Sequence, residues 1–506
     1  MKRQILILAA TLLTGSMLCA APRPGRASKP NVVDREVNAL LRERGLTPSG
    51  PAENDYLARR IYLVMTARIP TADQTRAFLR NPDRIALVDS LLASEGWVEL
   101  QVLRWGDMLR IKSEFPSCMW PNAVQAYNKW LTDRFRSGAG YDQIVYSLLT
   151  ATGSNFRQPA VNFFRAGNDR SPAKFASDAA LLFLGRRHAP ESWQPFFSQV
   201  KFKNSKEWKE DILWLDIDVP EPSCPVRLEG REIPLRHGED WRVPFAQWMT
   251  APGHREFARA FCNRLWSWLM GYGIIEPVDD LSGGPVNPAL LDALTDFFLE
   301  SHYDIRALAR EILTSETFAR STRTAAGNQA DATGRLGSHY PLRRLDSEPL
   351  NDAVCDITGV PDLYASRAPE PFTNYPPGTR AVEVGDGTVT TPQLDLFGRP
   401  SRDVALESGR DGSVNAKQAL YLLNATTLQE KLARSPWLES LDKGDRDPEG
   451  AVREIYLRVL SREATPAEVE AVLRWSSRFS GYTRFRKTNE SLVWALLNSD
   501  EFIFLN

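Results

Sequence analysis

A mainly α, multi-helical fold in two domains, joined by a small β-containing linker module, is predicted by three observations. Apolar residues recur at helical spacing over residues 32–190 and again from 243 onward. Between these stretches Pro195, Pro220, Pro222, Pro225 and Pro234 interrupt helix, and short runs take on strand character. The chain has 506 residues, 43% of them apolar and 25% charged, enough for more than one packed core and too apolar for a disordered chain.

The elements follow in order. Lys2 and Arg3 precede an apolar stretch from Ile5 to Leu18, and Cys19-Ala20-Ala21 supplies small residues at a cleavage site, so residues 1–21 read as a secretory signal peptide. Residues 22–31 are basic and Pro-rich, a flexible N-terminus. Val33, Val37, Leu40 and Leu41 share one helical face. Asn54 is placed to cap a helix through Leu57, Ile61 and Val64, and Asp83 one through Ile85, Val88, Leu91 and Leu92. Further helices are expected at about 97–112, 121–136, 141–150 and 172–186. The linker, 191–242, carries strand-like runs at Ile212–Leu215 and Val226–Ile233. The second helical domain, 243–506, opens on the stripe Phe257, Phe261, Leu265 and Trp268. Asn287-Pro288 and Asp304 start the next two helices. A Pro-, Gly- and Thr-rich loop at about 366–392 is long enough to be either functional or mobile.

Two stretches echo each other. Residues 59–79 and 453–473 agree at eight of 21 positions, among them Tyr62 and Tyr456, Arg68 and Arg462. Thr71 with Gln74, and Thr465 with Glu468, have capping-box spacing. A second echo pairs Leu308–Phe318 with Leu492–Phe502. Together they suggest a duplicated helical unit.

Composition excludes several classes. After removal of residues 1–21 the net charge is −3, without the basic footprint of a nucleic-acid binder. With the signal peptide cleaved, no membrane span is expected. Four cysteines remain, Cys118, Cys224, Cys262 and Cys355, and the sequence does not choose among their three full pairings. Their spacing fits no metal site, no HExxH occurs, and the five histidines are scattered, so neither metal nor cofactor is expected. Trp105, Trp266, Trp268 and Trp494 lie in apolar helical patterns and read as core.

Candidate chemistry is concentrated in polar motifs. Glu276, Asp279 and Asp280 form the densest acidic cluster. Such a cluster suits general acid–base work or Ca²⁺ binding, or else an ion pair between an Asp and Arg264 that fixes a loop. Asn263 stands beside Arg264. Arg343, Arg344 and Asp346 open a helix and suggest a salt-bridge network between domains. Glu407 and Arg410 suit either a pair holding the long loop or a ligand contact.

Many of these stretches resemble a paired bacterial family, the domains of unknown function numbered 1549 and 1553, abundant in planctomycetes and verrucomicrobia and often joined to a cytochrome c domain. The N-terminal likeness rests on Arg60-Ile61-Tyr62-Leu63, Ile69-Pro70-Thr71, Trp105–Arg110 and Asn162-Phe163-Phe164-Arg165. The C-terminal likeness rests on Asn263-Arg264-Leu265-Trp266, Glu276-Pro277-Val278-Asp279-Asp280, Arg343-Arg344-Leu345-Asp346, Phe397-Gly398-Arg399-Pro400 and Trp494–Phe502. Relatives carry a CxxCHxHP-like motif where this chain reads Arg186-Arg187-His188-Ala189-Pro190, and a Cys-Glu-Cys-Glu-Arg run where it reads Leu406-Glu407-Ser408-Gly409-Arg410. A haem or thiolate centre built from those cysteines is therefore not expected, and His188 is the remnant of interest. The leading expectation is an exported, periplasmic, non-catalytic binding or assembly component whose partner is an envelope protein or glycan, and the resemblance implies a link to polysaccharide use. The alternatives are a glycan or sulfate-ester hydrolase acting through Asp279 and Asp280, and a degenerate relative of a redox protein.

Overall fold

The computed structural model describes residues 30–368, 374–443, 447–480 and 484–506. The expected signal peptide, most of the expected flexible N-terminus and residues 369–373 of the long loop lie outside them. The described chain is mainly helical. Among the described residues no helix is long and apolar enough to cross a membrane.

Helix boundaries follow local chemistry. The Val32–Glu43 helix starts where Asn31 accepts hydrogen bonds from the backbone N–H groups of Val33 and Asp34, and it buries Val33, Val37, Leu40 and Leu41. Asn54 is not a cap. It is the first residue of the Asn54–Thr66 helix, and the extended Glu53 before it makes no side-chain cap. Asp83, Ser94, Asn287 and Asp304 each cap with their side chains. The Arg255–Met270 helix carries the expected stripe, with Phe257, Phe261, Leu265, Trp268 and Leu269 all buried.

Both echoes have the same local form. Asn54–Thr66 ends on Ala67 in the left-handed region, φ 53°, and Pro448–Leu460 ends on Ser461 there, φ 60°. Thr71 and Thr465 then open the next helices with complete capping boxes. Ser315 and Ser499 each accept a hydrogen bond from the N–H of the phenylalanine three residues on. Arg59 and Arg60 tie these matching stretches together. Arg60 Nη1 donates to the carbonyl of Phe318 at 2.6 Å, and Arg59 Nη2 to that of Phe502 at 3.3 Å.

The β-structure is small. Strands Val200–Asn204 and Asp211–Leu215 form an antiparallel hairpin, and Gly153–Ser154 from the N-terminal helical region pairs with the second of them. Val226–Leu228 and Arg231–Ile233 form a second hairpin. Arg343–Arg344 pairs with Phe504–Leu505 near the C-terminal end. Ahead of the first hairpin, Glu191–Phe197 is a 3-10 helix, where the prolines had suggested only irregular chain. It buries Trp193, Phe196 and Phe197 against Phe245.

One apolar core runs from Val33 to Leu505. At its centre Tyr141 stacks against Phe257 and Phe261 at 4.4 and 4.3 Å, with Trp105 and Phe298 around them. Side chains from before and after the β-module thus share one aromatic cluster. The 366–392 segment is packed where it is described. Ala381, Val384, Val389 and Leu394 gather around Tyr364, and Val382 joins Ala67, Leu100 and Leu103.

Candidate functional site

The polar candidates converge on buried ionic clusters where the Arg255–Met270, Glu95–Met108 and Ser347–Thr358 helices meet the segment 397–411. The first is centred on Arg264, whose side chain is 1% exposed. Its Nη1 donates to the carbonyl of Leu182 at 2.6 Å and its Nη2 to Asp279 Oδ1 at 2.9 Å. The other oxygen of Asp279 accepts the backbone N–H of Glu407 at 2.7 Å. Glu407 Oε1 accepts from Trp268 Nε1 at 2.8 Å and lies 3.8 Å from Arg264 Nε. Burial raises the Glu407 carboxyl above its ordinary value, with Arg264 and Arg104 pulling the other way.

Asn263 sits one residue before Arg264 and holds the following loop. Its Oδ1 accepts from the N–H of Ile275 at 2.9 Å, and its Nδ2 donates to the carbonyls of Ile275 and Val278 at 3.0 and 3.2 Å. That loop delivers the acidic cluster and then separates it. Glu276 accepts the N–H of Gly273 at 2.6 Å and stands 3.7 Å from Arg335. Asp279 turns inward to Arg264. Asp280 turns outward, accepting from Arg187 Nε and Ser282 Oγ, each at 2.6 Å; Ser282 and then Arg187 hold its carboxyl below the ordinary value. His188 is exposed on the loop after the Pro172–Leu184 helix.

The second cluster joins the Glu95–Met108 helix to the C-terminal half. Asp346 accepts from Arg104 Nη2 at 2.7 Å. Asp107 accepts from Arg402 Nε at 2.9 Å and from Arg410 Nη2 at 2.6 Å. Arg410 also donates to Glu348, which Arg399 approaches at 3.7 Å. Burial alone would raise the Glu348 carboxyl, but Arg410 and Arg399 bring it down to about 2. At Asp346 burial again pushes upward, and Arg104, Arg410 and Arg343 together hold the carboxyl well below its ordinary value. Arg343 donates to the carbonyls of Trp268 and Leu269 at 3.2 and 3.3 Å, closing the end of the Arg255–Met270 helix. Gly271 makes this possible. Its φ is +87°, and a Cβ there would stand 2.7 Å from Arg343 Cδ.

Sequence reasoning reached Arg343, Asp346 and Arg410 and missed Arg104, Asp107, Glu348 and Arg402. The available signal was an arginine and an aspartate three residues apart among Trp105, Met108 and Leu109, polar residues where the helical pattern calls for apolar ones. All four described cysteines are free thiols. Burial pushes Cys355 up to about 12 and Cys262 higher, away from the reactive thiolate. Among the described residues no group of three or more His, Cys, Asp or Glu side chains could hold a metal ion. Two cavities, of about 590 and 450 Å³, lie apart from these clusters. One is lined by Tyr62, Arg68, Arg380 and Arg458, the other by Tyr56, Arg60, Glu501 and Phe504.

Comparison with known proteins places two families on the chain. Residues 32–182 match PSCyt2, a protein of unknown function (DUF1549), and residues 241–476 match PSD1, a protein of unknown function (DUF1553). No curated protein and no solved structure matches.

Proposed function

For a chain that carries a DUF1549 domain followed by a DUF1553 domain, we propose the role of an exported, non-catalytic binding or assembly component of the cell envelope. The observation that carries this reading is the pairing of the acidic candidates. Both oxygens of Asp279 are engaged inside the protein, one by Arg264 and one by the Glu407 backbone. Asp280 is held by Arg187 and Ser282, and Glu276 by Gly273. A general acid and base need a proton-accepting or proton-donating oxygen turned toward substrate. Both oxygens of Asp279 and of Asp280, and Oε1 of Glu276, are engaged in holding loops. In this reading the chain descends from cytochrome-associated relatives and has lost their cysteine motifs. In this reading Arg186, Arg187, Glu407 and Arg410 keep only the positions, their charges turned to ion pairs with Glu256, Asp280, Arg264 and Glu348.

One observation favours the rival hydrolase reading, the raised carboxyl of Glu407 beside Asp279. Its contacts to Trp268 and Arg264 support a structural role instead. The test is turnover of chromogenic aryl sulfates and aryl glycosides by the purified chain, alongside Asp280→Asn and Glu407→Gln. No turnover is expected from any of the three. Hydrolysis by the wild-type chain that either substitution abolishes would overturn the proposal. Expression with the native first 21 residues should deliver the protein to the envelope fraction with Pro22 at its new N-terminus. Recovery in the cytoplasm with Met1 intact would contradict export.

A further inference from the structure

The Val200–Leu215 hairpin carries a surface that the ionic clusters do not explain. Trp208 is 66% exposed and Trp214 40%, two large apolar side chains left facing solvent. Lys201, Lys203, Lys206 and Lys209 are exposed in the same hairpin. In the hairpin register Lys201 lies opposite Trp214 and Lys203 opposite Ile212, so ammonium groups and an indole share the outward face. The inward face is built separately, from Leu213 and from Phe202, over which Arg170 lies at 4.6 Å.

The turn of the hairpin is shaped around a second aromatic group. Lys209 takes the left-handed conformation, φ 60°, which is costly for a residue with a Cβ. Its ammonium nitrogen stands 4.9 Å from the ring centre of Trp120 and 5.1 Å from that of Trp208. Trp120 itself has φ 72°. The carboxylates of the hairpin do not neutralise these lysines. Glu207 and Glu210 face Arg157 at 3.2 and 4.0 Å, and Asp211 faces Arg165 and Arg170 at 2.8 and 3.4 Å. Among the described residues the four lysines have no carboxylate partner, in a protein whose arginines are extensively paired.

We infer that this lysine–tryptophan face binds an anionic polysaccharide, one bearing sulfate or carboxylate groups. The inference rests on the proposed binding role and names the class of ligand. A pyranose ring presents a flat C–H face that packs on an indole, while its acidic substituents supply the missing counter-charge. Lysines on an edge strand also guard against strand pairing. That accounts for Lys201 and Lys203, but not for the indole placed opposite them or for the strained Lys209 between two tryptophans. An anionic bilayer would be met by apolar tips projecting beyond the charges. Here the ammonium of Lys209 stands over the rings themselves.

The test is affinity electrophoresis of the full chain in gels containing dextran sulfate or unmodified dextran, with sedimentation on phosphatidylglycerol vesicles in parallel. Dextran sulfate is expected to retard the protein and dextran to leave it unretarded. Trp208→Ala and Trp214→Ala should each weaken retardation about tenfold. Lys203→Gln with Lys209→Gln should weaken it and lower its salt sensitivity, and Lys129→Gln, on an exposed helix face and already paired with Asp133, should leave it unchanged. Trp208→Ala removes a mostly exposed side chain, so it decides the outcome if Trp214→Ala unfolds. No retardation, or equal retardation of Trp208→Ala and wild type, overturns the assignment. So does vesicle binding lost in these variants without dextran sulfate binding. Such a failure leaves the non-catalytic reading standing, because that reading falls only on hydrolysis.

Discussion

Arg264 shows what a single buried charge requires. A guanidinium in the interior needs acceptors and a counter-charge, and here Leu182 accepts from Nη1 and Asp279 from Nη2. Asp279→Ala should therefore destabilise the fold by about 3–5 kcal/mol, the cost of leaving the partner charge uncompensated. Urea unfolding measures this, and a loss under about 1 kcal/mol would show Arg264 to be solvated. Two carboxylates make opposite predictions with pH. Glu348 titrates at about 2 in the folded chain against an ordinary 4.5, so its contribution is complete above about pH 4.5 and is lost as pH falls toward 2. Glu348→Gln should flatten that acid limb. Asp352, buried while accepting the N–H groups of Ala381 and Val382, is pushed by burial up to about 7 from 3.8. A raised carboxyl favours the folded state at low pH and loses that advantage as pH rises from about 4 to 7. The stability difference between wild type and Asp352→Asn should fall across that interval, and a flat difference would contradict the assignment.

At the scale of elements, the paired helical hairpins are built from the same instructions. Each has a helix ended by a left-handed residue, Ala67 or Ser461, an arginine next to it, and a threonine capping box. The arginines act alike. Arg68 reaches Glu99 at 2.6 Å, and Arg462 reaches Glu501 at 2.5 Å. The two units should then answer a cap deletion alike. Thr71→Ala and Thr465→Ala are each expected to cost about 1 kcal/mol in urea unfolding. A cost confined to one of them would mean that tertiary contacts, not the cap, hold the other helix. A third instance of the Ser-x-x-aromatic turn stands at Ser94 and Trp97, where Ser94 accepts the N–H of Trp97. It completes the likeness between residues 54–97 and 448–502.

At the scale of the molecule, the clusters join distant stretches of chain. Asp107 and Arg410 are 303 residues apart in sequence, and Arg60 reaches both Phe318 and the carbonyl of Asn506. With one continuous apolar core beneath them, the regions before and after the β-module should not melt separately. Calorimetry is expected to show a single transition with matching van't Hoff and calorimetric enthalpies. Two resolved transitions would mean that the ionic contacts between the halves are weak.

The sequence alone determined the helical class, most helix starts and the two matching capped hairpins, because caps and apolar spacing act over three or four residues. It also brought Asn263, Arg264, Asp279, Arg343, Asp346, Glu407 and Arg410 to notice, as charged residues set in specific motifs. Which carboxylate faces which guanidinium was decided only by the tertiary structure. The neighbours Asp279 and Asp280 differ because one turns inward to Arg264 and the other outward to Arg187. Asp107 drew no notice because its partners lie about 300 positions away, and burial, which gives a charge its meaning, is a property of the packed chain and not of its neighbours in sequence.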